Sequence, residues 1–114
     1  MLIPLGKITV AAHGTPVLAT TNLTNPTARL GIQSVTVQAW PANAGIVYVG
    51  YANMVRASGV GVLASLAKPS NGTTGPFDRV TFTMQSGANG INANDLFIDA
   101  DTDTDGALVT VTAG

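Results

Sequence analysis

Apolar and polar residues alternate along much of this 114-residue chain. The clearest runs are Val35-Thr-Val-Gln-Ala39 and Val80-Thr-Phe-Thr-Met84, in which every second residue is apolar. A period of two places those residues on one face of a β-strand, whereas an amphipathic helix repeats about every 3.6 residues. The pattern therefore predicts strands.

Turn-forming sequences separate these runs. Examples are Asn25-Pro26, Pro69-Ser-Asn-Gly72 and Asp105-Gly106. Short strands divided by frequent turns are typical of a sandwich or barrel. We expect an all-β fold, an antiparallel β-sandwich of roughly seven to eight strands, with residues 1–114 forming a single domain. A jelly-roll-like winding is favoured, and a β-sandwich without that winding is the alternative.

The segment from Val60 to Lys68 is the only one with a helical alternative. Its glycines and valines favour a strand at Val62–Ala67 instead. The sequence Gly59-Val-Gly-Val-Leu-Ala64 has the letters of a dinucleotide-binding loop, but that loop requires a βαβ unit around it. We predict a glycine-rich bend or bulge here.

Two segments carry apolar residues without alternation. Residues 1–5 precede the first alternating strand, and we predict that they form an N-terminal arm that contacts another subunit. Ile46-Val-Tyr-Val49 is apolar on both faces, as expected of a strand that is buried twice or covered by another subunit. The predicted interface residues are Leu2, Ile3, Leu5, Ile46, Tyr48 and Tyr51.

Charged residues make up only 10% of the chain, and its net charge is −1. Soluble domains average about 25% charged residues, and surface charge keeps their molecules apart in solution. A surface this poor in charge suits a protein that is covered by copies of itself or by a larger partner. The five basic residues stand singly, so they form no stripe for nucleic acid.

Segments that would target the chain to a membrane are not evident. No apolar stretch reaches the roughly 18 residues of a membrane span. The opening Met1-Leu-Ile-Pro-Leu5 lacks the basic-then-apolar pattern of a secretion signal. We expect a protein that is made in a cytoplasm and binds neither membrane nor nucleic acid.

Most of the acidic residues are clustered, because five of the six aspartates lie between Asp95 and Asp105. The sequence Asp101-Thr-Asp-Thr-Asp-Gly106 matches the opening of a helix–loop–helix calcium loop, but Thr112 stands where that loop needs a bidentate Glu. The favoured interpretation is a β-hairpin that turns at Asp105-Gly106, with its aspartates facing water. The alternative is a calcium ion bound by Asp99, Asp101, Asp103 and Asp105.

Residue types for catalysis are scarce. His13 is the only histidine, cysteine is absent, and no G-x-S-x-G nucleophile elbow occurs. Triad chemistry needs a nucleophile and an orienting acid beside the imidazole. We predict that His13 is a satisfied or exposed loop residue and that the chain is not an enzyme. Trp40, Tyr48 and Tyr51 could form a platform for a sugar, but Trp40 is rather expected to plug the open end of the sandwich.

Several short motifs are spread over most of the chain: Gly6-Lys-Ile-Thr-Val10, Gly14-Thr-Pro-Val17, Val35-Thr-Val-Gln-Ala39, Ile46-Val-Tyr-Val-Gly50 and Asp95-Leu-Phe-Ile-Asp99. In these motifs the chain resembles small β-sandwich structural proteins of tailed-phage virions. The resemblance implies a capsid decoration or cement protein on the outer surface of the virion. Such a protein would act as a homo-oligomer, with a trimer favoured, bound to the major capsid protein and without a cofactor.

Two alternatives to this role remain at the level of the sequence. A tail or fibre component would use the same β-rich, charge-poor architecture. A glycan-binding β-sandwich module, with calcium at Asp99–Asp105, belongs to a different functional class.

Overall fold

The computed structural model describes residues 2–23, 31–67, 78–84 and 93–113. These residues form eight strands and no helix, so the all-β prediction is confirmed. The strands are β1 (Leu2–Thr9), β2 (Val17–Leu18), β3 (Ile32–Ala39), β4 (Val47–Val55), β5 (Val60–Leu66), β6 (Arg79–Thr83), β7 (Phe97–Ala100) and β8 (Gly106–Ala113). In this part of the chain no helix has the length and hydropathy to cross a membrane.

The strands form two four-stranded antiparallel sheets, in the orders β1-β8-β3-β6 and β2-β7-β4-β5. The first strand pairs with the last, the second with the seventh, the third with the sixth and the fourth with the fifth. This nested pairing is the winding of an eight-stranded jelly roll. The predicted jelly-roll-like sandwich is therefore confirmed.

The core lies between the two sheets and is built by the alternating residues. In the first sheet, Val35 and Val37 of β3 face Val111 and Val109 of β8, and all four are fully buried. In the second sheet, Ile98 of β7 is equally buried opposite Val49. Full burial of one such side chain contributes about 1.5–3 kcal/mol, so the period-two pattern accounts for the packing of the sheets.

Two edge strands are distorted by bulges. In β1, Leu5 is an extra residue between the paired Pro4 and Gly6, and Gly6 has a φ of 76°. In β5, the extra residue is Leu63, and the neighbouring Gly61 also has a φ of 76°. The predicted glycine-rich bulge is thus confirmed. Bulges and proline hinder an edge strand from pairing with another chain.

The predicted N-terminal arm is not observed. Leu2 and Ile3 pair with Thr112 and Val111, so the described residues of the 1–5 segment begin strand β1. Leu5 is part of the hydrophobic core. The apolar residues of this segment do not alternate, because a bulge interrupts the strand there. The bulge changes which side chains point towards the core.

The predicted hairpin at Asp105-Gly106 is wrong as well. β7 and β8 lie in different sheets, and residues 101–105 cross from one sheet to the other. The left-handed backbone conformation falls on Thr104, with a φ of 68°, rather than on Gly106. The local turn preference is overruled because β8 must pair with β1 and β3.

Candidate functional site at the acidic loop

The aspartates from Asp99 to Asp105 hold separate parts of the chain against one end of the sandwich. Asp105 accepts hydrogen bonds from two backbone amides of the β3–β4 connection, Ala44 N at 2.9 Å and Gly45 N at 2.8 Å. The buried side chain of Asn43 exchanges two further bonds with Gly106, of 2.8 and 2.9 Å. Both carboxylate oxygens of Asp105 are satisfied by these backbone donors, which allows its burial.

Asp99 is also buried, although it points away from the core. Its neighbour Ile98 faces the core, and successive side chains of a strand alternate, so Asp99 lies on the outer face of the sheet. One carboxylate oxygen accepts hydrogen bonds from Gly14 N and Ala100 N, at 2.9 and 2.8 Å. The other lies 3.2 Å from Arg56 Nε. A charge removed from water requires such partners.

Arg56 reaches Asp99 because the β4–β5 hairpin bends over the outer face of its sheet. Tyr48 is the register partner of Asp99, and a straight strand from Tyr48 to Arg56 would span about 26 Å. The pairing of β4 with β5 is irregular between Gly50 and Val55, where the strand bends. We call residues 51–63 the ribbon, because β4 pairs with β7 only at Val47–Gly50.

Asp101 joins the ribbon to the sheet. Its Oδ1 lies 2.6 Å from Arg56 Nη1, and its Oδ2 accepts a hydrogen bond of 3.1 Å from the Tyr48 hydroxyl. Burial, followed by the hydrogen bond to Asp101, raises the pKa of Tyr48 above its ordinary value. The Tyr48 hydroxyl therefore stays protonated at neutral pH and acts as a donor.

A cleft of about 460 Å³ opens between the ribbon, the sheet and the β1–β2 loop. Its polar lining consists of one guanidinium and two carboxylates, which sum to a formal charge of −1, and the Tyr48 hydroxyl. The lining residues are Gly14, Tyr48, Met54, Val55, Arg56, Ala57, Asp99 and Asp101. Of the three aromatic residues considered for a sugar platform, only Tyr48 lines the cleft.

His13 and Asp103 pair on the surface beside this cleft. Asp103 Oδ1 lies 2.6 Å from His13 Nδ1 and accepts the His13 backbone N–H at 2.9 Å. These contacts, the backbone bond first, hold the pKa of Asp103 below its ordinary value. Both side chains are more than half exposed, so His13 is the satisfied, exposed loop residue that the sequence predicts.

The four aspartates do not converge on one point. Each carboxylate binds a different set of partners, and only Asp99 and Asp101 share one, Arg56. Among residues 2–23, 31–67, 78–84 and 93–113, no group of three or more His, Cys, Asp or Glu could hold a metal ion. Calcium takes about 6–8 oxygen ligands. The arrangement therefore gives no support to a calcium ion bound by Asp99, Asp101, Asp103 and Asp105. The hairpin prediction placed the aspartates in water, but Asp99 and Asp105 are buried.

The predicted interface residues fall into three environments. Leu2, Ile46 and Tyr51 are exposed, Ile3 and Tyr48 are half-buried, and Leu5 is buried in the core and cannot contact a partner. Sequence reasoning missed Val55, Val60 and Leu63, which are exposed on the ribbon. They are the same residue types that fill the core strands, so only the bend of the ribbon distinguishes them.

Trp40 lies apart from the cleft. Its side chain is half-buried, and Lys7 Nζ lies 5.3 Å from the ring centroid. Its backbone N–H donates to the carbonyl of Gly106 at 3.1 Å. These contacts attach Trp40 to β1 and to the start of β8.

Comparisons with known proteins identify no relative. No family model matches the chain, and searches of curated proteins and of solved structures find no match.

Proposed function

We propose that the chain is a structural protein of a tailed-phage virion that decorates or cements the assembled head shell as a homo-oligomer. The jelly roll is compatible with this role, since viral capsid proteins use it, but lectins and cupins use it too. A fold alone does not assign a function. The proposal therefore depends on the surface of the molecule and on the sequence resemblance.

The apolar ribbon is the observation that carries the proposal. Val55 and Val60 are paired across the ribbon and are 50% and 60% exposed. Tyr51 and Leu63 add further exposed apolar side chains. Large apolar side chains exposed together on one short segment favour a contact site. Arg56, the only charged residue of the ribbon, is neutralised by Asp99 and Asp101 of the same molecule.

Three of the four sheet edges hinder the addition of a strand, and the fourth, β6, lies in the sheet that does not carry the ribbon. The bulges at Leu5 and Leu63 distort the edge strands β1 and β5, which hinders pairing with another chain. Strand β2 has only two residues. An oligomer built on the ribbon would therefore close through packed side chains and would not extend into a continuous sheet.

Cementing would work through mass action. A protein that binds the assembled shell but not its free subunits stabilises the shell by its binding free energy. Several equivalent contacts, each weak, become strong together when one oligomer presents them at a symmetry axis. The major capsid protein is the partner that this mechanism requires, and no catalytic group is needed.

Light scattering tests the self-association. We expect an oligomer, with a trimer favoured, whose mass falls to that of the monomer in the Val60→Lys variant. Thr83→Lys is the matched control, because Thr83 is exposed on β6 in the other sheet. A monomeric wild-type chain at every concentration would overturn self-association in solution, and dissociation by both variants would overturn the role of the ribbon.

Mass spectrometry of purified particles tests the virion assignment. In a phage whose genome encodes the chain, its peptides should co-purify with intact heads, and absence from the particles would overturn the proposal. Antibody labelling of those particles separates the head from the alternative location in a tail or fibre.

A further inference from the structure

We propose that the cleft beside Arg56 binds a neutral saccharide without a metal ion. This inference goes beyond the structural role and does not depend on it. The cleft of about 460 Å³ lies in the range of roughly 300–1,000 Å³ that is usual for small-molecule sites. It combines an apolar wall with a few polar groups, which is also typical of such sites.

The charge of the cleft selects against anions. Arg56 supplies one positive charge, but its Nε and Nη1 already face Asp99 and Asp101. The two carboxylates leave a formal charge of −1 in the lining, so phosphate, sulfate and nucleic acids meet net repulsion. A metal-mediated ligand lacks the necessary donor cluster in the described part of the chain.

The polar groups fit a ligand that carries hydroxyls. The Asp101 side chain is 41% exposed, so its oxygens retain accessible lone pairs beyond the bonds to Arg56 and Tyr48. A sugar hydroxyl can donate to this carboxylate and accept from the guanidinium at the same time. Tyr48 and Arg56 fix the carboxylate in place, so its orientation is set before a ligand enters.

The apolar side of the cleft fits the C–H face of a sugar ring. Met54, Val55 and Ala57 of the ribbon supply the apolar lining, next to Arg56 of the same segment. A ring with hydroxyls at its rim and C–H bonds on its face matches both groups, whereas a purely apolar ligand would cover the remaining lone pairs of Asp101 without giving them a hydrogen bond.

An NMR titration of the ¹⁵N-labelled chain tests this inference. Glucose, galactose and N-acetylglucosamine are each added to about 50 mM, which detects a Kd in the millimolar range. For at least one sugar, we expect saturable shifts of the Gly14, Arg56 and Ala57 amides, unchanged by a chelator. No saturable shift with any of the three would overturn the inference, as would binding of inorganic phosphate at the same amides.

Two variants locate the site. Asp101→Asn should weaken the binding at least tenfold, whereas Asp103→Asn, in the same loop but outside the cleft lining, should leave it unchanged. Because Asp101→Asn also disturbs Arg56, Ala57→Leu serves as a second test that fills the cleft without removing an ion pair. Wild-type affinity in a folded Ala57→Leu variant would overturn the placement of the sugar.

Discussion

Arg56 forms an ion pair with Asp99, although the ladder places Tyr48, not Arg56, opposite that aspartate. The pair therefore forms only because the ribbon bends over its own sheet. It also explains why an aspartate on an outer face is buried, because the ribbon and Gly14 cover it.

Removing the guanidinium should destabilise the fold. Arg56→Ala leaves the buried Asp99 carboxylate without its ionic partner, and breaking such a pair costs about 3–5 kcal/mol. Urea unfolding measures the loss. Arg79→Ala, at an exposed position of β6, should change the unfolding free energy by less than about 0.5 kcal/mol. Equal losses of unfolding free energy in the two variants would contradict a stabilising ion pair between Arg56 and Asp99.

Asp105 should contribute more to the stability of the fold than Asp103 does. Asp105→Ala leaves the amides of Ala44 and Gly45 without their acceptor, at a cost of about 1–3 kcal/mol. Asp103→Ala removes only an exposed pair with His13 and should have a much smaller effect. Thermal unfolding of both variants compares the two losses of stability. A larger loss for Asp103→Ala would show that other contacts hold the β3–β4 connection in place.

The contribution of Asp103 to stability should depend on pH. Its pKa in the folded state is held below the ordinary value of 3.8 by the bonds from His13. A lowered folded-state pKa stabilises the fold above the unfolded pKa, and the gain disappears as the pH falls through the folded one. The stability difference between wild type and Asp103→Asn should therefore be fully present at neutral pH, begin to fall near pH 3.8 and vanish only once the pH is below the lowered pKa of the folded state. A difference that grows on acidification would contradict this linkage.

Calcium should leave the melting temperature unchanged. The carboxylates of Asp99 and Asp105 are already occupied by backbone amides, and Arg56 competes for Asp101. Calorimetry with a chelator and then with excess calcium makes the comparison. A rise of several degrees with calcium would revive the metal site and require the acidic loop to rearrange.

The bulge in β5 should depend on Gly61. A Cβ at this position would lie 3.0 Å from Met54 Cα, and the φ of 76° strains any other residue. We expect Gly61→Ala to cost about 1–3 kcal/mol. Gly31→Ala is the control, because a Cβ there meets nothing within 4 Å. Similar unfolding free energies for the two variants would contradict the strain.

Strand positions were predictable because alternation is a local property. Val35 and Val37 face the core as their spacing requires, and the strand at Val62–Ala67 lies within two residues of the observed β5. Leu5 was assigned wrongly because a bulge resets the alternation, and a bulge depends on the partner strand.

The acidic loop was not predictable from its own sequence. Asp105-Gly106 has the preferences of a tight turn. However, β8 pairs with β1 and β3, and this pairing places it in the sheet that does not contain β7. The donors that occupy the aspartates, such as Gly14 and Gly45, are remote along the chain and are mostly backbone amides. Every residue except proline has such an amide, so the residue types in the sequence do not indicate which amides will bind the aspartates.

The pairing of the first strand with the last has a consequence for how the molecule forms. Leu2 pairs with Thr112, so β1 cannot complete its ladder until β8 has been synthesised. Contacts between residues this distant make the search for the native topology slow, on the order of milliseconds to seconds. During that interval the apolar residues of β1 remain exposed, and the risk of misassembly is greatest before the roll closes.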